Sequence, residues 1–560
     1  MKRILSLLTV CTVVLCASAS NRYVSPTGTD GDGKSWENAV HTIAQAIWSV
    51  GAGDTMFIAE GVYNESISAQ NGATYLGGYN AETGERDPEL YESIIDGTGL
   101  TSWLLVKYGG NADNTIKIDG LVFQNANHSE WGGAAIYCRG GMVISNCVFR
   151  NCVSGSKAGG IFVDETTAGS TELIPAVIRG CLFENCSCSK AQQAGAIHCE
   201  SSGAFLVENC VVRGCQGGVM ISTNAEATVR NCVFYNNQID YNGTLYGAGT
   251  FINNTVCNNQ GVEGRYGGCR VTGKAVNNVF WNNVVPNGSA TNQNYLASGA
   301  GSTNNIADVG GGMTTDLSAN NSDTNGPNFL NPTGFIGLPK TDVEKEAMRN
   351  ASFAITDASI KLLDQGTATD APEEDINGVA RPKGTGVDIG AYEYDPDAVK
   401  IAVAGVSIVP TSIEIIEGKS GTLVAQVEPL TASNKRVEWS IDDESIATIK
   451  NGKVTGVAAG TTTARVTTQD GGFTAAATVV IAPKPPVTYP QEVLDAEANY
   501  KMEDYTIPSY IEFLVPKTAA KIDSLDPDNA ELLASIAGNI ELMNAAIARL
   551  QPKEQPYNQI

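Results

Sequence analysis

From Leu121 to Asn283 apolar and polar residues alternate in runs of only three or four, and each run is cut off by Asn, Gly or Ser. One phrase keeps returning: LVFQNA at 121–126, CVFRNC at 147–152, CLFENC at 181–186, CVVRGC at 210–215, CVFYNN at 232–237, NTVCNN at 254–259 and NVFWNN at 278–283. Successive copies start 26, 34, 29, 22, 22 and 24 residues apart, the length of one supersecondary unit in a solenoid. A second phrase, glycines followed by apolar residues, lies between most copies: GGAAIYC at 132–138, GGIFV at 159–163, GAIHC at 195–199, GGVMI at 217–221 and GGCRV at 267–271. Alternation of period two between turn residues predicts short strands, at least two per repeat. No amphipathic run of helical length intervenes. Parallel strands that return without helices must coil, so the pattern predicts a parallel β-helix.

The third position of the phrase reads Phe123, Phe149, Phe183, Val212, Phe234, Val256 and Phe280. Coils stacked about 4.8 Å apart would set like side chains above one another, giving an aromatic column inside. The first and sixth positions change from Cys to Asn along the chain. Thiols should therefore give way to amides that pair from coil to coil, with other Asn residues serving tight left-handed corners.

The flanks of the repeat define the organisation. Lys2 and Arg3, the apolar run Ile4–Cys16 and Ala17-Ser18-Ala19 have the three parts of a secretory signal, predicted at 1–19. Leu15 stands where lipid attachment at Cys16 would want a small residue, which disfavours a lipoprotein. No later stretch is apolar enough to span a membrane. A β-helix with an N-terminal cap is expected over 20–399. The cap would be a helix from about Trp36 to Val50 with Ser35 as N-cap, followed by a strand Thr55–Ala59. An all-β module follows at 404–482, then a Pro-rich linker at 483–489 and a helical segment at 490–560. In that last segment Asp526 is the expected N-cap and Leu532, Leu533, Ile536, Ile540 and Met543 share one face.

The end segments carry a resemblance. YVSPTGTDGDGKSWENA, GDTMFIAEGVY, GGYNAETGERD, SIKLLDQG and DINGVARPKGTGVDIGAYEY resemble exported right-handed parallel β-helix proteins of the pectate-lyase-like superfamily with a choice-of-anchor Q ending. Pro410, Pro429, Trp439-Ser440, Ile446-Ala447 and Gly452–Gly456 resemble the bacterial immunoglobulin-like group 2 domain, in which Trp439 is expected between two sheets. The fold class is thus all-β: a right-handed parallel β-helix, an immunoglobulin-like sandwich and a small C-terminal α-helical segment. The superfamily includes lyases, hydrolases, esterases and adhesins, and no family catalytic motif maps onto this chain residue by residue.

Net charge of −24 argues against a nucleic-acid partner. About a dozen basic and a dozen acidic side chains fall between 101 and 283, so the excess negative charge lies in the flanks and a local cationic groove stays open. Of 14 cysteines, those after the signal all lie between Cys138 and Cys269. At repeat positions Cys serves as a small apolar filler, so buried free thiols are expected ahead of a disulfide framework.

Candidate chemistry follows from strand alternation. With Ile136 and Cys138 inward, Tyr137 and Arg139 point outward, and the same phase turns out Phe162, Asp164, His198, Glu200 and Arg270. Two readings survive. In the first the protein is a secreted or cell-surface glycan-binding, adhesin-like protein with the sandwich as spacer. Tyr137, Arg139, Phe162 and Arg270 then contact a polysaccharide. In the second it is a glycoside hydrolase or polysaccharide lyase. Asp164 and Glu200, on consecutive coils, would form a carboxylate pair with one pKa raised, or His198 would take an α-proton. No cofactor or metal is expected, since no phosphate loop, serine-nucleophile motif or ligand cluster is present.

Overall fold

The structure is a computed structural model that describes residues 20–108, 114–129, 132–164, 176–189, 194–200, 204–221, 227–239, 243–262, 266–286, 293–296, 301–397, 401–429, 432–450, 452–484 and 546–547. The signal at 1–19 and nearly all of the linker and helical segment at 483–560 lie outside the described residues.

Short strands stack in parallel into three long faces, and one coil shows the pattern. Met142–Ser145 lies on the first face, Val148–Arg150 on the second and Ile161–Val163 on the third, with Val153–Ser154 bridging the last two. Among the described residues the faces hold 10, 11 and 9 strands, and neighbouring strands pair in parallel with few register breaks. Through the seven repeat coils from Leu121 to Trp281 the corner before the second-face strand is left-handed and is Asn or Gly: Gly120, Asn146, Gly180, Asn209, Asn231, Asn253 and Asn277. The corner after it is built the same way by Asn125, Asn151, Asn185, Gly214, Asn236, Asn258 and Asn282. A positive φ that other side chains resist is what the sequence needs there.

Inside, Phe123, Phe149 and Phe183 stack with centroids 5.2 and 4.7 Å apart and planes 6° from parallel. Val212, Phe234, Val256 and Phe280 continue that column in register. Beside it run the two ladders. Asn237, Asn259 and Asn283 form one, each Nδ2 donating to the next Oδ1 at 2.9 Å. Asn254, Asn278 and Asn305 form the other at 2.9 and 2.8 Å. The twelve cysteines in the described residues are all buried, and none forms a disulfide. Burial pushes the Cys138 thiol up to about 12 and also raises those of Cys152, Cys186 and Cys257.

The N-terminal cap is shorter than expected. Helix α1 is Ile43–Ala46, capped by Thr42 in a capping box with Gln45, and a 3₁₀ turn Ile47–Ser49 follows. Trp36 does not start a helix, because its ring packs with Tyr23 and Tyr79. Ile43, Ala46 and Ile47 still close the first coil, and the strand Thr55–Ala59 stands where predicted.

The outer side of the second face is covered in its C-terminal half. Residues 317–394, including helix α2 (Asp342–Arg349), form a strap over Val233, Tyr235, Cys257, Val279 and Trp281 and bury Phe329, Phe353, Leu362 and Ile389 against them. Corner amides hold the strap by its carbonyls: Asn236 to Phe335, Asn253 to Asp388 and Gly390, Asn258 to Thr333 and Asn277 to Thr367, at 2.8–3.0 Å. The ending DINGVARPKGTGVDIGAYEY is a clasp built from buried carboxylates. Asp375 accepts from the backbone N–H of Val379 and Glu393, Asp388 from Asp364 and Tyr394, and Glu393 from Lys383 and Asp388. Buried Arg381 is the cation among them, 3.8 Å from Glu393.

Mostly antiparallel sheets over 405–482, with one parallel pair between Ser412–Ile416 and Thr474–Ala482, form the sandwich, with Ile408, Val454, Val466 and Val479 in its core. Trp439 is half-buried and packs against that core together with Val437 and Ile441 of its own strand, near Gly452 beside the facing sheet, while also lining a cavity shared with strap residues 330–334. Arg436 donates to the Asn328 carbonyl of the strap at 2.7 Å. Among the described residues no helix is long and apolar enough to cross a membrane.

Candidate functional site

The third face carries the residues singled out by alternation. Ile136, Cys138, Ile161, Val163, Ile197 and Cys199 belong to the interior core. Between them, in one ladder across coils, stand Val106, Tyr137, Phe162, His198, Met220, Tyr246, Arg270 and Tyr295. Two residues further along each strand the ladder bonding continues through Arg139, Asp164 and Glu200, whose N–H groups reach the carbonyls of Lys107, Cys138 and Val163 at 2.8–2.9 Å.

Outward does not mean accessible. Tyr137 is 3% exposed, and Phe162 and His198 are 0% exposed. They form an aromatic layer over the coil wall. Trp103 stacks on His128 at 4.7 Å and on Tyr137 at 5.1 Å, Tyr108 meets Tyr137 edge-on at 5.7 Å, and Phe162 meets His198 at 5.5 Å. Direct sugar stacking on Tyr137 and Phe162 is thus not available in this arrangement. Among the described residues at that end Tyr108 is an accessible ring, 54% exposed.

The two carboxylates do not form the expected acid pair, because each is held by its own partners. Buried Asp164 accepts from the Tyr137 hydroxyl and from Arg139 Nε, both at 2.7 Å. Glu200 faces His198 Nε2 at 3.3 Å and bonds Lys157. The hydrogen bond from His198, with Lys157 behind it, pulls the Glu200 carboxyl down to about 2 against the opposing effect of burial. The shift is opposite to the raised pKa an acid catalyst needs. Burial and the neighbouring Asp164 carboxylate push the Tyr137 phenol up, so it stays protonated and donates.

At the other end of the ladder Arg270 places its guanidinium 5.6 Å from the Tyr246 ring centroid and 5.3 Å from that of Tyr266. Sequence reasoning missed Tyr246 because the glycine phrase is absent before Leu245. Strand pairing with Met220 and Arg270 supplies the register instead. It missed Trp103, Tyr108 and Lys157 because they stand outside the repeated phrases. Among the described residues no group of three or more His, Cys, Asp or Glu is placed to hold a metal ion.

Comparison with known proteins matches residues 106–308 to the right handed beta helix region and residues 402–479 to the bacterial Ig-like domain (group 2). An alpha-L-arabinofuranosidase of Bifidobacterium longum subsp. longum is 42% identical over 84 residues, which is 15% of this chain and 8% of that enzyme. An Ig-like virion protein of Serratia phage KSP90 is 31% identical over 147 residues, 24% of this chain and 57% of that protein. The chain therefore covers only part of either relative. It combines a right-handed parallel β-helix with a bacterial immunoglobulin-like domain.

Proposed function

We propose that the protein is an exported, cell-surface or secreted glycan-binding protein of adhesin type, and that its third face is the binding surface. The observation that carries this reading is the state of the two carboxylates. A glycosidase needs one carboxyl that is protonated at working pH and a second free to act on the sugar. Glu200, at about 2, stays ionised, and Asp164 is bridged by Tyr137 and Arg139. His198, fully buried against Glu200, is poorly set to reach a substrate proton. What stays available suits binding: Tyr108 at one end, and the Tyr246, Tyr266 and Arg270 group at the other. The short stretch shared with an enzyme named as an arabinofuranosidase fits a glycan setting. On this reading the signal at 1–19 exports the chain, and the sandwich at 404–482 with the segment beyond it carries the β-helix outward.

A polysaccharide panel read for both retention and product release tests the proposal. Tyr108→Ala and Tyr246→Ala should each weaken retention of the bound glycan by about 1–3 kcal/mol. Glu200→Gln should leave retention nearly unchanged. Product release that falls about a hundredfold or more in Glu200→Gln or Asp164→Asn would replace this reading with the enzymatic one.

A further inference from the structure

We infer a second site, for an anionic saccharide unit, between the strap and the sandwich; it goes beyond the third-face reading and does not depend on it. A cavity of about 510 Å³ opens there, within the range of roughly 300–1,000 Å³ usual for small-molecule sites. Ile336 and Leu338 of the strap give it an apolar wall. Lys340 of the strap and Lys450 and Lys453 of the sandwich also line it, so three positively charged residues border it.

The one acidic residue lining this cavity, Glu344, is already committed. Its Oε2 accepts the N–H groups of Lys340 and Thr341 at 2.6 and 3.2 Å, and its Oε1 accepts the Thr422 hydroxyl at 3.1 Å. It pins the wall and makes no ion pair with the three lysines among the described residues. Lys450 and Lys453 also stand directly opposite each other in an antiparallel pair. Like charges in that position cost stability unless something neutralises them. In a chain of net charge −24, a cavity with three cations and one committed carboxylate is a local reversal of sign. A carboxylated or sulfated sugar matches it: the anionic group meets the lysines while the ring lies against Ile336 and Leu338. The sandwich then supplies half of a binding site as well as reach.

The test is calorimetry on the full chain with three probes, an oligogalacturonate, a sulfated disaccharide and inorganic sulfate, and with a neutral oligosaccharide as control. Wild type should bind at least one of the two acidic saccharides more tightly than sulfate or the neutral control, and whichever of the two binds identifies the anionic group. The triple variant Lys340→Ala, Lys450→Ala, Lys453→Ala should lose about tenfold or more in affinity for it. Lys450→Ala alone should raise the thermal midpoint slightly, which shows that the variant folds and that the repulsion was real. Tyr108→Ala should leave this binding unchanged, which separates it from the third face. Unaltered affinity in the triple variant, equal affinity for sulfate, or no binding of either acidic saccharide would overturn the inference.

Discussion

At the sixth position of the repeat, the coils up to Cys215 and those from Asn237 onward solve the same problem with different groups. In the first set Cys152, Cys186 and Cys215 send their thiols to the carbonyls of Phe123, Phe149 and Phe183 in the preceding coil, with Sγ to oxygen distances of 3.5–3.7 Å. In the second set Asn237, Asn259 and Asn283 reach the equivalent carbonyls of Val212, Phe234 and Val256 at 2.8–3.1 Å. Each amide also donates to the amide of the next coil, and Asn237 and Asn259 accept the backbone N–H of Cys215 and Asn237 from the coil before. A thiol there is mainly filler with a weak bond. An amide is a link in a chain, strong only while its neighbours are amides too.

The largest test of this comparison uses the column both sets share. Phe183→Ala and Phe234→Ala should each cost roughly 3–5 kcal/mol in urea unfolding, and Phe183 should cost more because it alone of the two stacks on a parallel ring. Next, Asn259→Ala should cost about 2–4 kcal/mol, since it strands the Asn237 donor and the Asn283 acceptor, whereas Cys186→Ala should cost about 1–2 kcal/mol. Equal costs would remove the distinction between link and filler. Third, the buried thiols should resist alkylation in the folded protein and react only after denaturation. Mass spectrometry that finds several defined disulfides in native protein would show the first set to be cross-linked instead.

The smallest effect compares the strap with the third face through pH. Burial raises the Asp388 carboxyl to about 6, above its usual 3.8. Its contribution is complete below 3.8 and is lost as pH rises through 6, so strap amides should exchange more slowly at pH 5 than at pH 8, by about 1–2 kcal/mol of opening free energy. Glu200 has the opposite sign. Its contribution is complete above 4.5 and disappears as pH falls towards 2. Hydrogen exchange across this range should therefore tighten the strap while the third face still holds, and loosen the third face only in strong acid.

Much of the β-helix was legible because one phrase fixes strand, corner and ladder together. The Asn or Gly before and after each core residue, and the Phe column, are local consequences of chain geometry. The strap was not read, although its footprint is in the same phrase. The outward fourth position is Arg150, Glu184 and Arg213 in early coils, where Glu184 and Arg213 pair with each other and Glu184 also with Arg349 of the strap, and Tyr235, Cys257 and Trp281 in later ones, a switch from ion-paired to apolar contact. The candidate site was half legible. Alternation gives which side Tyr137, Phe162 and His198 take, but what covers them comes from Trp103, Tyr108 and Lys157, which no periodicity links to them. Helix α1 was overestimated because Trp36 looks like a helix start in sequence and is an aromatic anchor in space.

Asn237, Asn259 and Asn283 stand 22 and 24 residues apart and are bonded head to tail, all pointing the same way along the axis. Such a chain has no special middle member. A duplicated repeat spliced between Asn237 and Asn259 would find an acceptor ahead of its amide and a donor behind it, and its corners would bring their own left-handed Asn. The amide half is thus the part of this molecule that gene duplication can lengthen or shorten by whole coils, and relatives of different length should differ there in multiples of one repeat, up to the limit set by a strap of fixed span.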